Sequence, residues 1–216
     1  MVTDGPWVEQ WLSPERFATY LRQAGNDRVR ALDLHEWSAK MSAALLHDFA
    51  HLEVGIRNMY DAALMAAVVA GDRHWSNPAS ALVLFPDVAR SDRRTHRDLE
   101  VARTAAGGLS APGGKVLAEL TFGFWVYLTS NRRSASIWTP YLQHAYPAGS
   151  VRTRIHSGLD ELRKARNRVA HHEPIRVSEV NDLTRRVRRY ARYVSSDLAD
   201  YISETSDVAL LLRHRP

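Results

Sequence analysis

Residues 27–70 read DRVRALDLHEWSAKMSAALLHDFAHLEVGIRNMYDAALMAAVVA and contain no proline. Apolar side chains recur at positions 34, 37, 41, 45, 49, 52, 56, 59 and 60. Those steps of three and four describe one face of a helix. The stretch predicts one long helix or a kinked pair, with Gly55 as the weak point and Gly71-Asp72 as the stop. So much chain committed to helix makes the fold α.

The same reading extends in both directions. Upstream, Ser13-Pro14 is a helix start, because serine caps and proline is tolerated in the first turn. Phe17, Tyr20 and Leu21 then share a face, and Gly25-Asn26-Asp27 breaks that helix and caps the next. Downstream, residues 72–90 carry Asn77-Pro78 and Phe85-Pro86 and read as a connecting loop with at most short turns. Ser91 to Ala106 is a short polar helix, followed by a glycine-rich join. Lys115 to Thr129 is apolar nearly all round, which predicts a buried central helix with Phe122, Phe124, Trp125 and Tyr127 in the core. A short helix is expected between Pro140 and Pro147. Val151 to about His172 is the next long helix, stopped by Glu173-Pro174. Ser178 to Ile202 is the last, with a seam of period near 3.5 that suits antiparallel packing.

No segment reads as a strand. The expected architecture is all-α, a single-domain bundle of about six or seven helices. Its blocks are 12–70 (N-terminal long helices), 114–129 (buried central helix), 151–173 (motif helix) and 178–203 (basic C-terminal helix).

Composition limits the chemistry. The 216 residues are 45% hydrophobic and 25% charged, the balance of a folded chain. With no cysteine, disulfide scaffolds, thiolate zinc sites and thiol nucleophiles are excluded. MVTDGPWVEQWLSPERF lacks the basic region and apolar core of a signal peptide. The apolar run AALMAAVVAG (62–71) is about half of a bilayer span. A cytoplasmic protein without membrane partners is the expectation.

The net charge is +5, and 26 of the 29 basic residues are arginine. Position matters more than the sum. Val151 to Arg192 carries +7, leaving the rest of the chain at −2. That distribution makes a polyanion the expected partner.

The densest group of reactive side chains, ELRKARNRVAHHEPI (161–175), lies inside this basic stretch. On an ideal helix Arg166 and His171 point roughly 140° apart. Asn167 and His171, at i and i+4, share a face. Arginine offers a bidentate clamp for phosphate, histidine exchanges protons near neutral pH, and asparagine can orient either.

Arg166-Asn167-x-x-x-His171 resembles the R-x(4–6)-H signature of the HEPN superfamily of helical ribonucleases. The longer string RNRVAHHEPI resembles its Abi-like, abortive-infection family. LSPERFATYLRQAGNDRVRALDLHEW (12–37), HLEVGIRN (51–58) and GKVLAELTFGFWVYL (114–128) precede it in that family's order and spacing. Ser38 follows Trp37 where the family is expected to carry asparagine.

The resemblance implies a HEPN-like fold and a metal-independent endoribonuclease with no cofactor. The RNA's own 2′-hydroxyl would attack the neighbouring phosphate. It assigns Arg166 to the phosphate, His171 to proton transfer and Asn167 to the polar position after the arginine. His172 also satisfies the looser spacing, so the two histidines remain alternatives. Glu173 is either a support for a histidine or merely the residue before the stop. Two such motifs usually face each other, and Arg57-Asn58 has Ala62 where a histidine would complete a second one. A homodimer with a composite site is therefore implied. The role would be antiphage defence or a growth-arresting toxin, restrained by a protein or RNA antitoxin. A catalytically silent RNA-binding or scaffold module is the alternative.

Further candidates surround this motif. Glu53 and Arg57 are either a helix-stabilising i,i+4 pair or, with Asn58, a polar bracket for the motif helix. Arg163, Lys164, Arg168, Arg185, Arg186, Arg188, Arg189 and Arg192 are candidate RNA contacts or a solvated face. His47 and His51 have the i,i+4 spacing of helical metal ligands but no apparent third ligand. They read as a boundary pair, and no metal site is expected.

Overall fold

A computed structural model describes residues 4–216. Residues 1–3, the start of the segment read as lacking a leader, lie outside the described residues. Eleven α-helices are found among them: α1 (Trp7–Leu12), α2 (Pro14–Gln23), α3 (Arg28–Leu64), α4 (Pro78–Leu84), α5 (Arg93–Ala106), α6 (Gly113–Ala118), α7 (Phe122–Leu128), α8 (Arg152–Ala170), α9 (Val177–Val194), α10 (Ser196–Thr205) and α11 (Val208–Arg213). Short 3₁₀ turns lie at Met65–Ala67, Asn131–Arg133 and Leu142–Ala145, with a π turn at Ser134–Trp138. No strand occurs among the described residues.

The organising element is α3. Its 37 residues span about 55 Å at the ordinary rise per residue. Asp27 caps it by accepting from the Arg30 N–H at 3.0 Å. Trp37, Met41, Leu45, Phe49, Leu52, Ile56, Tyr60 and Leu64 form a buried row along it, and α7 to α11 pack against that helix. Each buried aliphatic side chain of this size contributes about 1.5–3 kcal/mol. A smaller apolar cluster joins α1, α2 and the first turns of α3 through Val8, Leu12, Phe17, Tyr20, Ala31 and Leu34.

The expectation of six or seven helices undercounts, and the reasons are local. Gly55 does not kink α3. It admits α10, since a Cβ there would lie 2.6 Å from Leu198 Cδ2. The helix ends at Leu64, earlier than Gly71. Asn77-Pro78 starts a helix instead of marking a loop, because proline occupies the first turn of α4.

The expected central helix over 114–129 is two helices. Thr121, extended at ψ 159°, separates α6 from α7. Phe122, Phe124 and Trp125 are buried as expected, whereas Tyr127 is half-buried and its hydroxyl accepts from Arg133 Nη2 at 2.8 Å. The short helix expected between Pro140 and Pro147 is the 3₁₀ turn Leu142–Ala145.

The block 178–203 is also two helices. Ser195 adopts an extended conformation, and its Oγ accepts from the Leu198 N–H at 3.0 Å, capping α10. The block 151–173 ends its helix at Ala170, three residues early. Among the described residues no helix is long and apolar enough to cross a membrane.

Candidate functional site around the end of the motif helix

The apolar positions of α8 (Ile155, Leu159, Leu162, Ala165 and Val169) are buried, and this fixes where its polar residues point. On the same side as that buried row, Arg166 reaches α3. Its Nε donates to Glu53 Oε1 at 2.8 Å, and its Nη1 approaches Asn167 Oδ1 at 3.4 Å. Burial pushes the Glu53 carboxyl above its ordinary range, and the Arg166 guanidinium opposes that rise. Glu53 therefore bridges α3 and α8. It does not pair with Arg57, whose Nε donates to Asn58 Oδ1 at 3.5 Å. Of the two readings of Glu53, the bracket is the one with a contact behind it; Arg57 and Asn58 take no part in that contact.

The last turn of α8 sets the backbone of the two histidines. His171 is the C-terminal cap, with its N–H donating to Asn167 O at 3.0 Å, and its side chain is exposed. His172 follows in the left-handed region at φ 55°. Its N–H donates to Val169 O at 3.0 Å, and the Glu173 N–H donates to Arg168 O at 3.1 Å. These two bonds form a Schellman motif, in which glycine is the usual left-handed residue. A left-handed histidine costs about 1 kcal/mol or more relative to an ordinary conformation. Glu173 is exposed and its side chain makes no hydrogen bond or ion pair among the described residues.

Both histidines are exposed, and one of them borders a cavity. His172 lines a cavity of about 250 Å³ shared with Arg16 and His35. His171 does not line it. Arg16 and His35 were not legible as site residues, being more than a hundred positions from His172 in sequence.

The basic stretch is less free than its charge suggests. Arg163 and Lys164 both pair with Asp160. Arg168 pairs with Glu179 at 3.8 Å. Arg185 and Arg186 pair with Asp182, and Arg186 also with Glu161. Arg188 is half-buried, with Nε enclosed and unpartnered. Among the described residues, Arg189 and Arg192 are the members of the set that are exposed and carry no ion pair.

His47 and His51 lie with their Nε2 atoms 3.2 Å apart, and His47 Nδ1 lies 3.2 Å from Asp48 Oδ1. Asp48 is buried and its other oxygen accepts from Ser206 Oγ at 2.8 Å. Burial raises the Asp48 carboxyl above its ordinary range. No cluster of three or more metal-ligating side chains occurs among the described residues.

The end of α8 thus brings together a positioned guanidinium, an amide beside it and two exposed imidazoles, of which His172 borders the cavity. Such a set can bind a phosphate and exchange protons. Compared with known proteins, the chain matches no family model, no curated protein and no solved structure, so its likeness to HEPN ribonucleases rests on the sequence motifs.

Proposed function

We propose that this chain is a metal-independent endoribonuclease that cuts cellular or phage RNA at the end of α8. The observation that supports it most is the Arg166–Glu53 contact, which fixes the guanidinium through Nε and leaves Nη2 without a partner among the described residues. In this reading the Nη groups of Arg166 hold the non-bridging oxygens of the scissile phosphate. A histidine removes the proton of the neighbouring 2′-hydroxyl, whose oxygen forms a new bond to phosphorus. The bond from phosphorus to the 5′-oxygen breaks, and that oxygen takes a proton. The products are a 2′,3′-cyclic phosphate and a 5′-hydroxyl. His171, the C-terminal cap of the helix, is assigned the proton transfer on the resemblance of its motif.

A homodimer completes the site in this reading, because one chain supplies one motif. The HEPN resemblance places the activity in abortive infection or growth arrest, with a protein or RNA antitoxin as its restraint.

Incubation of the purified protein with mixed RNA in EDTA tests the reading. Fragments ending in cyclic phosphate are expected, and Arg166→Ala and His171→Ala should each reduce cleavage by at least a hundredfold. Parent-like cleavage by both variants would remove the assignment. A second reading, a silent RNA-binding module, draws on the same ion pair: Glu53 neutralises the charge that would otherwise meet phosphate. It expects binding without cleavage under all conditions.

A further inference from the structure

Beside the motif lies a cavity of about 250 Å³ between α1, α2, the first turns of α3 and the reversal after α8. Trp11, Arg16, Tyr20, His35, Ser38 and His172 are among its lining residues, and no carboxylate lines it. Trp11 is 59% exposed, and its ring stacks on Trp7 with centroids 5.8 Å apart. Trp11 and Tyr20 each meet His35 edge-on, at 5.0 and 5.3 Å. Arg16 is exposed, and its guanidinium has no partner among the described residues.

Each feature favours the same ligand chemistry. Beside the face that stacks on Trp7, the exposed part of the Trp11 indole offers a π surface on which any base can stack. His35 sits partly buried, and that burial disfavours its charged form. A neutral imidazole donates through one nitrogen and accepts through the other, which suits the edge of a base. Arg16 at the rim offers a clamp for phosphate. The volume lies just below the range of about 300–1,000 Å³ for small-molecule sites, which limits the occupant to about one nucleotide.

His172 supplies the independent observation. Glycine would occupy its left-handed position without strain, yet this chain places an exposed histidine there, at the border of the cavity.

We infer that this cavity is a nucleotide subsite that stacks one base of a single-stranded RNA on Trp11 and holds an adjoining phosphate between Arg16 and His172. The inference rests on the ribonuclease reading for its substrate, but binding can be measured without cleavage. His171 and His172 then divide the work, one at the scissile phosphate and one at a flanking nucleotide.

The test uses the full chain and a short single-stranded RNA carrying 2′-O-methyl groups, which lacks the attacking hydroxyl. Binding is followed by tryptophan fluorescence and calorimetry. Trp11→Ala should weaken binding about five- to a hundredfold, and Trp11→Phe should retain most of it. His172→Gly should weaken binding while raising Tm, since it relieves the left-handed strain.

Parent-like affinity in both Trp11→Ala and His172→Gly would overturn the subsite. So would mononucleotides binding as tightly as the RNA, which would make the ligand a free nucleotide. Loss of a dimer in Trp11→Ala, by light scattering, would also overturn it by assigning the tryptophans to an interface. RNA binding that depends on Trp11 and His172 in a protein that cuts nothing would sustain the subsite and reject the ribonuclease. Cleavage without that dependence would do the reverse.

Discussion

Arg166 Nε donates to Glu53 Oε1 at 2.8 Å across 113 residues of sequence, tying the motif helix α8 to the central helix α3. The contact gives the guanidinium one orientation. It also couples the proposed chemistry to the fold, because Glu53 is held above its ordinary pKa by burial and is opposed by Arg166.

Arg166→Ala should therefore cost stability in a pH-dependent way. A carboxyl whose folded pKa is raised favours the folded state when protonated, and that contribution is lost as pH rises through the folded value. Removing Arg166 leaves burial unopposed and raises the folded value further. The deficit should be greatest at neutral pH, about 1 kcal/mol for this partly exposed pair, and should shrink on acidification toward the ordinary value of 4.5. Thermal melts of the parent and Arg166→Ala between pH 4.5 and 8 measure this. In a Glu53→Gln background the deficit caused by Arg166→Ala should lose this pH dependence. A deficit that grows on acidification would contradict the assigned pairing.

Much of this arrangement was legible from sequence because a 3.6-residue period and short caps are local signals. The row from Trp37 to Tyr60 lies on the buried side of α3 as its spacing predicts, and Ser13 and Asp27 cap where expected. The misses share a cause. Gly55 looked like a break because glycine is a poor helix former, but its lack of a side chain serves Leu198, which is distant in sequence. Thr121 and Ser195 were absorbed into longer helices because the apolar period continues across them. At the site, sequence spacing favoured His171 but carried no hint that His172 borders a cavity with Arg16 and His35, since that depends on one backbone reversal and on how α2 docks.

The cap at Ser195 makes a separate prediction. Its Oγ is the acceptor for the Leu198 N–H, and the extended backbone there lets α9 and α10 pack separately. Ser195→Ala should cost about 1 kcal/mol, whereas Ser195→Asp should cost little, because aspartate caps equally well. Urea titration of both variants measures the difference. Equal midpoints for Ser195→Ala and the parent would mean that packing alone bends the chain there.

Close approach of α8 and α9 depends on Gly158. A Cβ at that position would overlap the Tyr190 ring and hydroxyl, and that hydroxyl donates to the Arg154 and Ile155 carbonyls, each at 3.2 Å. Alanine is the better helix former by about 1 kcal/mol. Overpacking against a buried aromatic ring costs about 1–3 kcal/mol. Gly158→Ala should thus be destabilising on balance, by up to about 2 kcal/mol. In the Tyr190→Leu background the same change should become neutral or stabilising, and a double-mutant cycle of denaturant midpoints tests that sign change.

The basic face yields a prediction that separates paired from unpaired charge. Arg189 and Arg192 have no ion pair among the described residues, whereas Arg185 is held by Asp182. A cation already balanced by a carboxylate releases fewer counterions when a phosphate approaches, so it contributes less to the salt dependence of binding. Arg189→Gln and Arg192→Gln should each lower the slope of log affinity against log salt by about 0.7, the value for one phosphate contact on a single strand. Arg185→Gln should change the slope by less than half as much, because Asp182 already balances that charge. Fluorescence anisotropy with the 2′-O-methyl RNA across a salt series resolves these slopes. If all three substitutions leave the parent slope intact, the strand does not follow α9, and the contacts proposed for the end of α8 would have to account for the affinity without it.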